Sequence, residues 1–141
     1  MSPKRIPAKK VPKEEYQDRW RKALDRRGGM EREYAAGAAD PALVLAVQGV
    51  IAAADALTIY HRGERTSAER HEDALEVLGR LGDIPGIKEA SAHLAKLLRV
   101  KGEVEYTGRY PRPQEVAGLL DHARRFFGFV EKFLPAAGAS S

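Results

Sequence analysis

The sequence predicts an all-α protein, an up-and-down bundle of four to five antiparallel helices. Three observations predict it. Apolar residues recur at spacings of three and four in five segments. Sustained alternation with a period of two is nearly absent, and no hairpin dipeptide sits between β-branched runs. The links LGDIPG and TGRYPRP are short, and short links between helices favour antiparallel neighbours. The 141 residues amount to one domain, and a hydrophobic share of 43% suffices for a modest core. The chain divides into a disordered basic tail at 1–13, a bundle domain at 14–135 and a frayed tail at 136–141.

The first helical segment is KEEYQDRWRKALDRRGGMEREYAAGAA, with Tyr16, Trp20 and Leu24 recurring every four residues. Gly28 and Gly29 kink or split it, because each glycine weakens a helix interior by about 1 kcal/mol. The second is DPALVLAVQGVIAAADALTIYHRG, in which Asp40 suits the N-cap, Pro41 the first turn and Gly63 the far end. Its apolar run of 19 or 20 residues is long enough for a membrane span. Gln48 and Asp55 argue against one, since Asp near a span's centre costs about 2.5–3.5 kcal/mol. An interior helix fits better, and Gly49, Ala52, Ala53 and Ala56 let neighbours approach closely.

The third segment, TSAERHEDALEVLGRL, opens with Thr66 and Glu69 at capping-box spacing and places Ala68, His71, Leu75 and Leu78 on one face. The fourth repeats Ile87, Ala90, Leu94, Leu97, Lys101 and Val104 at alternating threes and fours, the seam of an antiparallel bundle. The fifth carries Val116, Leu119, Leu120, Ala123, Phe127, Val130 and Leu134, widened by Phe126 and Phe133 and stopped by Pro135.

Charge is unevenly placed. Residues 1–13 hold five of the 24 basic residues and no acid, which leaves 19 basic and 20 acidic residues in the remainder. The basic tail is interrupted by Pro3, Pro7 and Pro12. Such a tail is a soluble end or a nonspecific contact for nucleic acid. Cysteine is absent, which excludes disulfides, zinc–thiolate centres and thiol nucleophiles. MSPKRIPAKKVPK lacks the apolar stretch of a secretory signal, so a cytoplasmic protein is expected.

Arg65 and His71 form the leading candidate site. With Thr66 as cap, both side chains reach the beginning of a helix, where unpaired N–H groups favour an anion. A guanidinium grips phosphate through two bonds, and an imidazole moves a proton near neutral pH. The plainer reading is a packed histidine and a solvated arginine. Gln48, Asp55 and Arg62, spaced by sevens, form a polar stripe on an apolar helix. That stripe is either a groove leading from the joint or a buried partner for an Arg or Tyr of a neighbouring helix. Arg109, Tyr110 and Arg112 interleave base and aromatic, as single-stranded RNA contacts do, or stiffen a surface loop. No His has an acid three residues before it, so a di-iron centre is disfavoured. No metal or cofactor is expected.

A small-residue helix (AVQGVIAAADAL), then Arg65-x5-His71 at the start of the next helix, then VKGEVEY, a joint and EVAGLLDHARRFF, resembles the HEPN superfamily over residues 14–134. The resemblance implies an all-α bundle that dimerises, joining two R-x4-6-H motifs in a cleft. It implies a metal-independent endoribonuclease of toxin or defence type, paired with an antitoxin. In it Arg65 binds phosphate, His71 is the acid/base or water-orienting group, and the ribose 2′-hydroxyl attacks. Arg62, Asp55, Thr66, Arg109 and Tyr110 are the expected substrate contacts. The alternative within the same resemblance is a non-catalytic module that binds a nucleotide or a partner protein such as a nucleotidyltransferase.

Overall fold

The structure, a computed structural model, describes residues 8–66 and 73–136. Its elements in order are a short strand β1 (Ala8–Lys10), helix α1 (Tyr16–Ala35), helix α2 (Ala39–Arg62), strand β2 (Glu64–Thr66), helix α3 (Asp73–Gly79), helix α4 (Ile87–Thr107) and helix α5 (Pro113–Lys132). The all-α expectation holds for the five helices. β1 and β2 pair antiparallel as a minimal sheet, with Ala8 opposite Thr66, Lys9 opposite Arg65 and Lys10 opposite Glu64.

Helix α2 packs against each of the other four helices. It passes the length and composition test for crossing a membrane, and most of its apolar stretch is buried inside the protein. Leu43, Val47, Val50, Leu57 and Ile59 of α2 are fully or almost fully buried, against Met30 of α1, Leu94 and Leu97 of α4, and Leu120, Phe126 and Phe127 of α5. Each such side chain contributes about 1.5–3 kcal/mol by leaving water. The small residues set the spacing. A Cβ on Gly49 would lie 2.7 Å from the Phe127 ring, and one on Gly29 would lie 3.0 Å from Leu45. Gly49 thus brings α5 against α2, as expected for this glycine.

Several local expectations are corrected. Helix α1 runs unbroken through Gly28 and Gly29, because Gly29 is buried against α2 and packing there outweighs propensity. Ala38, not Asp40, stands at the N-cap of α2, and Asp40 lies in the first turn. Gly63 does end α2, in the left-handed conformation at φ +64°. In α4, Val100 joins the buried seam, while Lys101 lies at its edge and pairs with Glu105. Every α5 stripe residue through Leu134 is buried, with Phe133 partly so.

The tail expected to be disordered at 1–13 is ordered from Ala8 onward. Val11 N–H donates to the Gly63 carbonyl at 2.9 Å. A single 3-10 turn spans Lys13–Glu15, and the Lys13 ammonium lies 4.4 Å from the Tyr60 ring centre. Strand pairing and this cation–π contact hold a segment whose prolines suggested a free end. Residues 1–7 and 137–141 lie outside the described residues.

Candidate functional site

The strand β2 carries the first half of the candidate motif, and its two flanking residues anchor it. Glu64 is buried and forms ion pairs with Arg62 Nε at 2.8 Å and Arg80 Nη1 at 3.0 Å. These cations hold its carboxyl below the usual carboxylate range, the Arg62 bond most strongly. Thr66 is buried too. Its N–H donates to Asp55 Oδ1 at 3.1 Å, and its hydroxyl donates to the same oxygen at 2.7 Å. Alternation along the strand then turns Arg65 to the opposite side, where Lys9 is its cross-strand partner.

Thr66 was expected to cap N–H groups that lie outside the described residues. It belongs to β2, and Asp55 takes its hydroxyl hydrogen. The other expected box residue, Glu69, lies outside the described residues, as does His71. The proximity of Arg65 to His71 consequently remains an expectation of the sequence pattern.

Asp55 has a bonded partner that neither reading named. It is buried at 6% exposure, and its bonded partner is the strand, not an Arg or Tyr side chain of a neighbouring helix. Burial pushes its carboxyl above the ordinary value, opposed by the two Thr66 bonds and by the nearby Arg19 and Arg65 cations. Asp55 also floors a groove of about 240 Å³ lined by Arg19, Lys22 and Arg26 of α1 and by Gln48 of α2. Arg19, Lys22 and Arg26 share one face of α1 at spacings of three and four. That signal is present in QDRWRKALDRR, but there it reads as ordinary helix-surface charge.

Arg65 is half-buried. Its Nη1 donates to the Thr66 carbonyl at 3.0 Å, and its Nε is buried without a hydrogen-bond partner among the described residues. Arg62 is exposed and engaged with Glu64, so it clamps the strand that holds Arg65.

Arg109 and Tyr110 do not join this site. Arg109 makes two 2.9 Å bonds to Glu115 and one of 3.3 Å to Glu103, tying α4 to the start of α5. These bonds raise its pKa and lower that of Glu115. The Tyr110 hydroxyl accepts from Asp40 N–H at 3.4 Å. Asp40 begins α2 and Arg62 ends it, so the joint lies about 33 Å from β2 at 1.5 Å per residue. Arg109 serves the fold of the α4–α5 turn.

One polar pair escaped the sequence reading. His93 of α4 and His122 of α5 meet Nδ1 to Nδ1 at 2.8 Å, both half-buried. Burial, His122 and the Arg125 cation hold the His93 imidazole below its ordinary value, against the opposing pull of Glu89. Two histidines 29 residues apart carry no local signal, so only the α4–α5 pairing shows them together. Among the described residues no group of three or more His, Asp or Glu is placed to hold a metal ion.

In comparisons with family models, curated proteins and solved structures, nothing matches this chain.

Proposed function

We propose that the protein is a metal-independent endoribonuclease of the HEPN type, acting as a homodimer, with Arg65 and His71 working on an RNA phosphodiester. The observation that supports this most is the anchoring of β2. Glu64 and Thr66 are each tied into the bundle, which orients Arg65 on the opposite side of the strand with Lys9 beside it. A guanidinium oriented in this way stabilises charge that builds on a phosphoryl group. The groove lined by Arg19, Lys22 and Arg26 reaches Asp55, the residue that holds Thr66 of β2, and offers a path for the RNA backbone.

In the reaction, the ribose 2′-hydroxyl attacks the adjacent phosphorus and its proton passes to the His71 imidazole. The bond to the 5′-oxygen breaks, and a proton is delivered to that oxygen. The products are a 2′,3′-cyclic phosphate and a free 5′-hydroxyl, with no net redox change. Arg65 holds the non-bridging oxygens throughout.

A second reading is favoured by one bond. Arg65 Nη1 already donates to its own strand at Thr66. If that bond persists, the chain is a non-catalytic module that binds a nucleotide or a partner such as a nucleotidyltransferase. RNA incubated with the full chain in EDTA decides between them. The expected result is cleavage by the wild type and a loss of about 100-fold or more in Arg65→Ala and in His71→Ala. Absence of cleavage by the wild type, or cleavage unchanged in both variants, overturns the nuclease.

A further inference from the structure

Beside the histidine pair, an open cavity of about 560 Å³ lies between α4, α5 and the turn before α4. This volume is within the range of small-molecule sites. Helix α5 lines it with Arg125, Gly128, Phe129 and Lys132, a single face at spacings of three, one and three. Helix α4 contributes Glu89, Ala90 and His93.

Three features of this cavity bear on what it could hold. First, Arg125 and Lys132 are exposed cations at the cavity's edge and, like most cations of the described surface, have no ion-pair partner among the described residues. Second, the half-buried rings of Phe129 and Phe133 lie 5.0 Å apart and form an aromatic wall. Third, Gly128 stands inside a helix, where glycine weakens it, and a Cβ there would meet nothing within 4 Å. The glycine relieves no clash with the protein. What it leaves open is space in the cavity.

We propose that this cavity binds a small aromatic anion, one or two fused rings bearing a single carboxylate or phosphate. The ring lies against Phe129 and Phe133, over the opening left by Gly128. The anionic head meets Arg125 and Lys132, which supply charge-assisted bonds. The histidine pair adds a donor. With one hydrogen shared between the two Nδ1 atoms, one Nε2 is bare in the neutral pair. Uptake of one proton converts it to N–H without breaking the bridge. The charges acting on His93 are those of His122, Arg125 and Glu89. Glu89 restricts the ligand to one strongly charged head and can accept a bond from a ring N–H. This site does not depend on Arg65 or on nuclease activity.

The test is a titration of the full chain by calorimetry and amide chemical shifts. The probes are indole-3-acetate and phenyl phosphate, with benzamide and inorganic phosphate as controls. The expected result is saturable binding of at least one aromatic anion with Kd below about 1 mM. The control lacking a charge and the control lacking a ring should each bind at least about tenfold more weakly, because each lacks half of the recognised chemistry. Arg125→Gln is expected to weaken binding about tenfold or more, consistent with loss of a charged hydrogen bond. Gly128→Leu is expected to abolish binding with an unchanged or higher melting temperature, since leucine favours the helix and fills the space. Failure of both anions to saturate, or equal affinity in folded Gly128→Leu, overturns the site.

Discussion

Two polar clusters interrupt the apolar bundle, and they are built differently. Around Asp55 the carboxylates and Thr66 satisfy one another, while Arg65 Nε has no hydrogen-bond partner among the described residues. A buried carboxylate receives two bonds from Thr66, and Glu64, two residues before Thr66, receives two from arginines. Around His93 and His122 the pairing is incomplete. The two imidazoles share a single contact beside a cavity whose cations lack partners among the described residues. The first arrangement holds backbone in place, since each bond fixes a strand residue. The second fixes no backbone and leaves side-chain capacity open to solvent. Buried polarity of the first kind is structural, and polarity of the second kind is available for a ligand.

This contrast can be broken at its strongest point first. Asp55→Ala removes the acceptor for two buried donors of Thr66 and should cost about 2–3 kcal/mol in urea unfolding. Asp55→Asn should lose less, because it retains an acceptor and removes a charge that burial disfavours. If Asp55→Ala unfolds like the wild type, Glu64 and the pairing with β1 hold β2 without Asp55, and the distinction fails.

A smaller effect should appear in the pH dependence. The His93 imidazole is held below its ordinary value near 6.5, so the folded state binds fewer protons there than the unfolded chain. Its contribution is full above that pH and is lost as the pH falls below about 6.5. Between pH 7.5 and 5.5 the wild type should therefore lose more stability than a His93→Leu/His122→Leu variant. Asp55 and the paired Glu31, Glu64 and Glu115 are common to both proteins, so their titrations cancel in the comparison. Equal slopes would show that the imidazole pair is not what senses acid.

The smallest expected change is the stability of that double variant at pH 7.5. Replacing both hydrogen-bonding partners by apolar groups leaves no orphan, so the change should stay under about 1 kcal/mol by thermal unfolding. A loss as large as that of Asp55→Ala would make the histidine pair a structural cluster as well.

The bundle itself was legible because burial over long helices repeats itself in sequence. The α5 stripe from Val116 to Leu134 could be read residue by residue, and Gly49 was correctly read as a point of close approach. The three-residue strands were not legible, since alternation needs more residues than Glu64–Thr66 supplies. That omission hid the place of Thr66 in β2 and left Lys9 in a free tail. Asp55 was recognised as a polar residue requiring a partner, but the partner is 11 residues away on a strand that the pattern did not show. Arg109 and Tyr110 looked like RNA contacts because composition cannot distinguish an ion-paired arginine from a free one. His93 and His122 were invisible as a pair because their meeting depends on the register of two helices.

The pairing of β1 with β2 also has a consequence for handling the protein. Deleting the first ten residues would strip one side of β2 and expose unpaired backbone amides and carbonyls along Glu64–Thr66. Such an uncovered border is a template for a foreign peptide strand. A shortened chain would thus trade its own leading segment for whatever extended polypeptide lies nearest, at the place where Arg65 is held.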